Sequence, residues 1–163
     1  MKPFTKDNKI GKFIMSCIQH YHHDKYWRRR AIVTDKESKC PLIIKLYYLY
    51  YIKKVDARHL CSFGTNINAG AIFLTPPILL HGPNGIIVAH DAIIGRNCTI
   101  AQQVTITHGE VVIGDNCKIG AGAKILDHVK IGNNVKIGAN AVVVEDVPDN
   151  ATVVLQKPRI IHH

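Results

Sequence analysis

The stretch 111–144 reads VVIGDNCKIGAGAKILDHVKIGNNVKIGANAVVV, and its period decides the architecture. Branched aliphatics recur every six residues at Ile113, Ile119, Ile125, Ile131, Ile137 and Val143. Glycine follows four of them directly, as Gly114, Gly120, Gly132 and Gly138. Two residues before each aliphatic stands a small or β-branched residue: Val111, Cys117, Ala123, Val129, Val135 and Ala141. A period of six is neither helical nor the alternation of a plain strand. It fits a solenoid of triangular cross-section, in which each hexapeptide makes one short flat face and three make a coil. The aliphatic points inward, and stacked coils pair their backbones at the sheet spacing of about 4.8 Å. The glycine is expected to let the backbone turn where a side chain would cost energy.

An earlier run, Val88, Ile94, Ile100 and Ile106, keeps the same period, with Ile86, Ala92, Cys98 and Val104 at the preceding inward position. Cys98 and Cys117 therefore read as small core residues. The two runs are out of phase: Ile113 follows Ile106 by seven residues, so one extra residue has entered near Thr107-His108-Gly109-Glu110. Before Val88, Thr75-Pro76-Pro77 and Gly82-Pro83-Asn84-Gly85 are turn signals, predicting first coils with outward excursions. Further upstream, 7–26 and 41–54 read as helices, with Pro41 in a helical first turn. Leu42, Ile43, Leu46, Leu49, Tyr50 and Ile52 are expected to pack on the solenoid or on a neighbouring chain. The predicted organisation is a helical extension over 1–58, a β-helix over 59–157 and a tail over 158–163.

Charge follows the same division. Residues 1–58 hold 14 Lys and Arg against 5 Asp and Glu, whereas 59–163 hold 7 of each, so the net +9 belongs to the extension. Such a surface is either simply solvated or faces an anion. No nucleic-acid motif accompanies it, and Arg28-Arg29-Arg30 stands beside Tyr26 and Trp27, which read as packing residues. Nucleic acid is not an expected partner. Contact of the tyrosine-rich helix with a membrane surface is an alternative reading. Five cysteines without a CxxC pair suggest free thiols in a reducing cytoplasm. The opening residues 1–7 have no apolar leader, and the apolar stretch 42–52 is shorter than the ~20 residues that span a bilayer.

Two segments carry a family likeness. IGAGAKIL at 119–126 resembles the corresponding coil of serine acetyltransferases and their relatives, and HGPNGIIV at 81–88 resembles their histidine turn. The likeness runs from about 63 to 161, and the N-terminal part resembles the helical extension of sugar O-acetyltransferases of capsule and lipopolysaccharide pathways. The resemblance implies a left-handed parallel β-helix, a homotrimer with sites between adjacent subunits, and acyl transfer from acetyl-CoA to a hydroxyl.

Such a transfer needs a base, stabilisation of the oxyanion and a groove for the pantetheine arm, and histidine is suited to the first. His81 matches the family's catalytic histidine. His108 is the second candidate, because the family has another active-site histidine after a longer loop in this region. His90 lies 18 residues before His108 and is expected to stack on the same face. His90 and Asn84 are the candidate acceptor contacts. Gly120, Ala121 and Gly122 match the CoA-binding coil, with Ala139 one coil later, although the repeat alone also asks for small residues there. Lys157-Pro158-Arg159 resembles the tail that closes over CoA, and its cations suit the nucleotide phosphates. Gln156 departs from the family's glycine before that tail. His81, His90, His108 and His128 are spaced unlike the ligands of β-helical zinc carbonic anhydrases, so no metal is expected.

The acceptor expectation rests on one residue. Serine acetyltransferases place an aspartate before the histidine of this turn, whereas this chain has Leu80. An apolar side chain cannot pair with an ammonium group. A sugar hydroxyl, free, nucleotide-linked or lipid-linked, is thus the expected acceptor. Serine is the alternative, with Asp56 as one carboxylate that reaches the site from the extension. A non-catalytic β-helical scaffold is the second alternative.

Overall fold

Two-residue strands separated by tight corners build three flat parallel faces in the computed structural model, which describes residues 20–155. The first face stacks Ser62–Phe63, Ile87–Val88, Thr105–Ile106, Lys124–Ile125 and Val142–Val143. The second stacks Ile72–Phe73, Ile93–Ile94, Val112–Ile113 and Lys130–Ile131. The third stacks Ile78–Leu79, Thr99–Ile100, Lys118–Ile119, Lys136–Ile137 and Thr152–Val153. The fold is a left-handed parallel β-helix carrying, among the described residues, two N-terminal helices. Its core is the aliphatic ladder expected from the period: Ile100, Ile113 and Ile125 are at most 1% exposed, and Cys98 and Cys117 are fully buried beside them.

The glycines after the ladder have a different reason from the one expected. Gly114, Gly120, Gly132 and Gly138 are not in the left-handed region. They are needed because the next coil lies against them: a Cβ on Gly120 would stand 2.6 Å from the Ala139 nitrogen, and one on Gly114 2.8 Å from the Gly132 carbonyl. The left-handed turn comes two residues later, where Asn97, Asn116, Asn134 and Asn140 adopt φ between 55 and 59°. Asparagine tolerates that conformation better than other side chains. His128 occupies the same slot at φ 61°.

The extra residue between the two runs does not extrude a long loop. Ile87 pairs with Thr105, and Thr105 pairs with Lys124. The additional residue in the second step is absorbed at the corner, where Gly109 and Glu110 both take positive φ. The first coil is closed by Ser62–Phe63, Ile72–Phe73 and Ile78–Leu79, and its excursion is the antiparallel hairpin Thr65–Asn66 with Ala69–Gly70.

Helix α1 spans His23–Thr34 and α2 spans Leu42–His59. Of the helix expected over 7–26, residues 7–19 lie outside the described part, and among the described residues helix begins at His23. Pro41 is the N-cap of α2 rather than part of its first turn, and α2 continues past Lys54 because Val55 and Asp56 still face the core. Leu42, Ile43, Leu46 and Tyr50 face solvent instead of packing, and the buried side of α2 is Lys45, Ile52, Val55 and Asp56. No helix among the described residues is long and apolar enough to cross a membrane.

Buried polar groups fasten the helices to the first coil. Arg30 Nη2 donates to the carbonyls of Phe63 at 2.8 Å and Ala71 at 2.6 Å, and Nε donates to Thr65 Oγ1 at 3.1 Å. Burial lowers the Arg30 guanidinium to about 10. Lys45 Nζ donates to Asp35 O and Asn68 Oδ1, both at 2.7 Å. The Tyr26 hydroxyl donates to Asp56 Oδ1 at 2.6 Å, and the Cys61 thiol donates to the same oxygen at 3.7 Å. Asp56 is thus a core residue under the helices, and the expectation that it reaches the site from the extension is corrected.

Burial raises the Asp56 carboxyl above its ordinary value. A raised folded value means that its contribution to stability is complete below the unfolded value of about 3.9 and is lost as pH rises through the folded one. Asp56→Asn keeps the acceptor for Tyr26, so this variant is expected to fold normally and to lose that fall in stability when chemical denaturation is followed from pH 4 upward. Asp56→Ala strands the buried tyrosine hydroxyl and is expected to cost about 1–3 kcal/mol.

Candidate active site

The three faces meet at three columns of corners, and the candidate residues divide between two of them. His81 lies in the turn between the third face and the first, in the same column as Gln102-Gln103, Gly120-Ala121-Gly122 and Ala139-Asn140. His90 and His108 lie in the column between the first face and the second. One chain therefore does not bring His81 and His108 together.

The histidine turn is shaped by its glycines and by α2. Gly82 and Gly85 take φ of 75° and 68°, which a side chain would resist. Gly85 N donates to the His59 carbonyl at 2.9 Å. His59 Nδ1 donates to Asn84 Oδ1 at 2.8 Å, and Asn84 Nδ2 donates to the His81 carbonyl at 3.1 Å. The Asn84 amide is thus engaged in holding the turn. His81 itself is exposed and makes no side-chain hydrogen bond or ion pair among the described residues.

Beyond Gln102-Gln103, which lie on the coil next to His81, the same column is lined by the small residues Gly120, Ala121, Gly122 and Ala139. The backbones stack directly, with Gln103 N donating to Asn84 O at 3.0 Å, Gly122 N to Gln102 O at 3.0 Å and Asn140 N to Ala121 O at 2.8 Å. The coil stacking by itself requires glycine at 120, and Gly122 adopts φ 73°. Ala139 is exposed and Ala121 half-buried, so the column is an open strip of backbone and methyl groups. Gln102 Oε1 is a shielded carbonyl oxygen on this strip with no hydrogen-bond partner. Lys157 and Arg159 lie outside the described residues.

At the other column the rings of His90 and His108 meet edge to face, with centroids 4.9 Å apart at 61°. Asp91 Oδ1 lies 3.5 Å from His108 Nδ1, and Asp91 Oδ2 accepts from the backbone N–H of Gly109 at 2.9 Å and Glu110 at 3.3 Å. These backbone donors hold the Asp91 carboxyl below its usual range. A cleft of about 240 Å³ opens beside the rings, lined also by Lys53, Thr65, Asn66 and Ile87. A slightly larger cavity, about 260 Å³, lies under α1 against Trp27, Arg30 and Phe73 and contains none of the candidate histidines.

Two contributors escaped the sequence reading. His59 ends a helix that was expected to stop earlier, so nothing tied it to the turn. Asp91 had a usable signal: it precedes Gly109 by 18 residues, the coil period, which sets its carboxylate beneath that backbone. The set of four histidines weighed as metal ligands does not converge, since His81 is in another column and His128 is committed to a corner backbone. His90, Asp91 and His108 do present nitrogen and oxygen atoms within 4.8 Å of one another.

Residues 110–145 match the family model described as bacterial transferase hexapeptide (six repeats). The chain is similar to serine acetyltransferase 5 of Arabidopsis thaliana, 47% identical over 93 residues, covering 52% of this chain and 29% of that protein. It is similar to the serine acetyltransferase of Synechococcus elongatus, 37% identical over 106 residues, covering 61% of this chain and 43% of the relative. Among solved structures it resembles a serine acetyltransferase in complex with CoA, with a TM-score of 0.63 and 27% identity, covering 82% of this chain and 53% of that one. The chain thus spans less than half the length of these two curated relatives. These likenesses overturn the sugar acceptor expected from Leu80, and with it a place in surface-polysaccharide synthesis. The argument failed because Leu80 is a single exposed residue at one edge of the turn, and the charge of an acceptor is matched by every wall of its site. What is shown is a hexapeptide-repeat β-helix that over its matched region is similar to serine acetyltransferases.

Proposed function

We propose that this chain is an acetyl-CoA-dependent O-acetyltransferase whose acceptor is the hydroxyl of L-serine. The observation that carries the proposal is the shared column: His81 sits two coils below Ala121 and three below Ala139 on one strip of small residues. At about 4.8 Å per coil, those steps are about 10 and 14 Å. A pantetheine arm laid along the strip brings its thioester to the histidine turn, and Gln102 Oε1 stands between the two as an acceptor for an amide N–H. Relatives named as serine acetyltransferases, one of them solved with CoA, support the donor and the acceptor.

In this reading the neutral imidazole of His81 takes the proton from the serine hydroxyl as its oxygen attacks the thioester carbonyl carbon. The tetrahedral intermediate collapses by breaking the C–S bond, and the imidazolium returns the proton to the departing thiolate. The products are O-acetylserine and CoA. The turn Leu80-His81-Gly82-Pro83-Asn84-Gly85 holds no carboxylate to meet the serine ammonium. A homotrimer provides a second wall, because it sets the His81 column of one subunit against a neighbouring subunit.

Three measurements test this reading. In a thiol-release assay with acetyl-CoA, kcat/KM for L-serine is expected to exceed that for free or nucleotide-linked sugars by at least about tenfold, a difference of about 1.4 kcal/mol; a sugar ahead of serine would falsify the acceptor. His81→Ala is expected to lower kcat by about a hundredfold or more, the scale of lost general-base help, with little change in the KM for acetyl-CoA. Retained turnover in that variant alongside its loss in His108→Ala moves the base to the other column. Light scattering at micromolar concentration is expected to give three times the chain mass, and a monomer rules out a site shared between subunits.

A further inference from the structure

We infer that His90, Asp91 and His108 form a binding site for one divalent transition-metal ion of the zinc class on each chain. The inference stands on the geometry of this corner and does not depend on the acetyl-transfer reading.

The coil period sets His108 and Gly109 directly over His90 and Asp91. The two imidazoles and the carboxylate then offer ligand atoms that all lie within 4.8 Å of one another. Zinc bonds of about 2.0–2.1 Å in a tetrahedral site need nitrogen atoms about 3.3 Å apart. Closing that gap takes only rotation of side chains, since His90 is exposed and the His108 side chain is 72% exposed. Nothing in the core has to move.

Asp91 makes the corner more than a chance pair of histidines. Its Oδ2 is held by two backbone N–H groups, at 2.9 Å from Gly109 and 3.3 Å from Glu110, which fix the carboxylate. Its Oδ1 is shielded from solvent, lacks a hydrogen-bond partner and points at the His108 ring. A shielded carboxylate oxygen without a hydrogen-bond donor is costly, and a cation between it and the two rings relieves it. Backbone donors on the second oxygen are the kind of outer support that orients a metal-binding carboxylate.

The donor set selects the ion. Two imidazoles with one carboxylate suit zinc and its transition-metal neighbours, whereas magnesium and calcium prefer all-oxygen shells. Three protein ligands would leave a fourth position open, and His90 and His108 both line the cleft of about 240 Å³. Lys53 also lines that cleft, and its charge opposes the ion and limits the affinity.

The test is direct binding to full-length protein stripped of metal. Co²⁺ is titrated and followed by its visible absorption, then displaced with Zn²⁺. One ion per chain is expected, with affinity at least about tenfold lower in each of His90→Ala, His108→Ala and Asp91→Asn. His128→Asn, at a left-handed corner of the same column but outside the cluster, is expected to bind as the parent does. Thermal melting of each metal-free variant verifies folding, and Zn²⁺ is expected to raise the melting temperature of the parent but not of the His90→Ala, His108→Ala double variant. Absence of binding at millimolar metal overturns the site. So does binding that survives the double variant, which assigns the ion to the histidines at 20, 22 and 23 or at 162 and 163.

Discussion

Each coil of this protein rests on the next at the distance of one backbone hydrogen bond, and the rest of the structure follows from that approach. Gly95 N to Ile113 O at 2.8 Å and Gly114 N to Ile131 O at 2.8 Å are typical of the contact. After Ile113, Ile119, Ile131 and Ile137 it leaves little room for a Cβ, hence glycine. It turns the corner through a left-handed residue, hence asparagine. It also brings the thiols of Cys98 and Cys117 to 3.2 and 3.1 Å from the carbonyls of Gly114 and Gly132, so that even the polar edge of a small core side chain finds an acceptor. The period visible in the sequence is the trace of this contact repeated at every corner.

The helices perform a task the solenoid cannot perform for itself. A stack of coils ends in an exposed layer of unpaired backbone and apolar ladder, and repeat proteins need a cap there. Here the cap is joined by long cations whose charged ends are spent on oxygens of the first coil: Arg30 on the carbonyls of Phe63 and Ala71, Lys45 on Asn68 Oδ1. Trp27 fills the space beneath, with its ring 5.1 Å from Phe63 and 4.8 Å from Phe73. Part of the positive charge that marked the N-terminal region as a surface for anions is therefore internal, and belongs to the joint between cap and barrel.

The fold was legible because every hexapeptide repeats one steric requirement, so that errors at single positions average out. Ile113, Ile125 and Cys117 could be placed inward without any knowledge of their neighbours. The helices had no such redundancy. Leu42, Ile43 and Leu46 look like core residues by composition, yet the face that meets the coils is set by Lys45, Ile52 and Asp56, which a hydrophobic pattern does not pick out. The site was legible only in part, for the same reason. The histidine turn and the small-residue column are contiguous in sequence or in period. The support from His59 crosses from a helix end to a loop, and the pairing of Asp91 with His108 depends on how the one extra residue is accommodated. The acceptor was misjudged because its recognition was assigned to one residue.

That extra residue also shows how such a protein changes in length. Inserted within a face, a single residue would turn each later ladder side chain outward and expose the core in one step. Placed at the corner of Thr107–Glu110 it leaves Ile106 and Ile113 both inside. The molecule thus keeps two kinds of position: faces, where the count of residues is rigid, and corners, where it is free. Variation in such a scaffold collects along three edges, and the edges are where His81, His90, His108 and His128 stand.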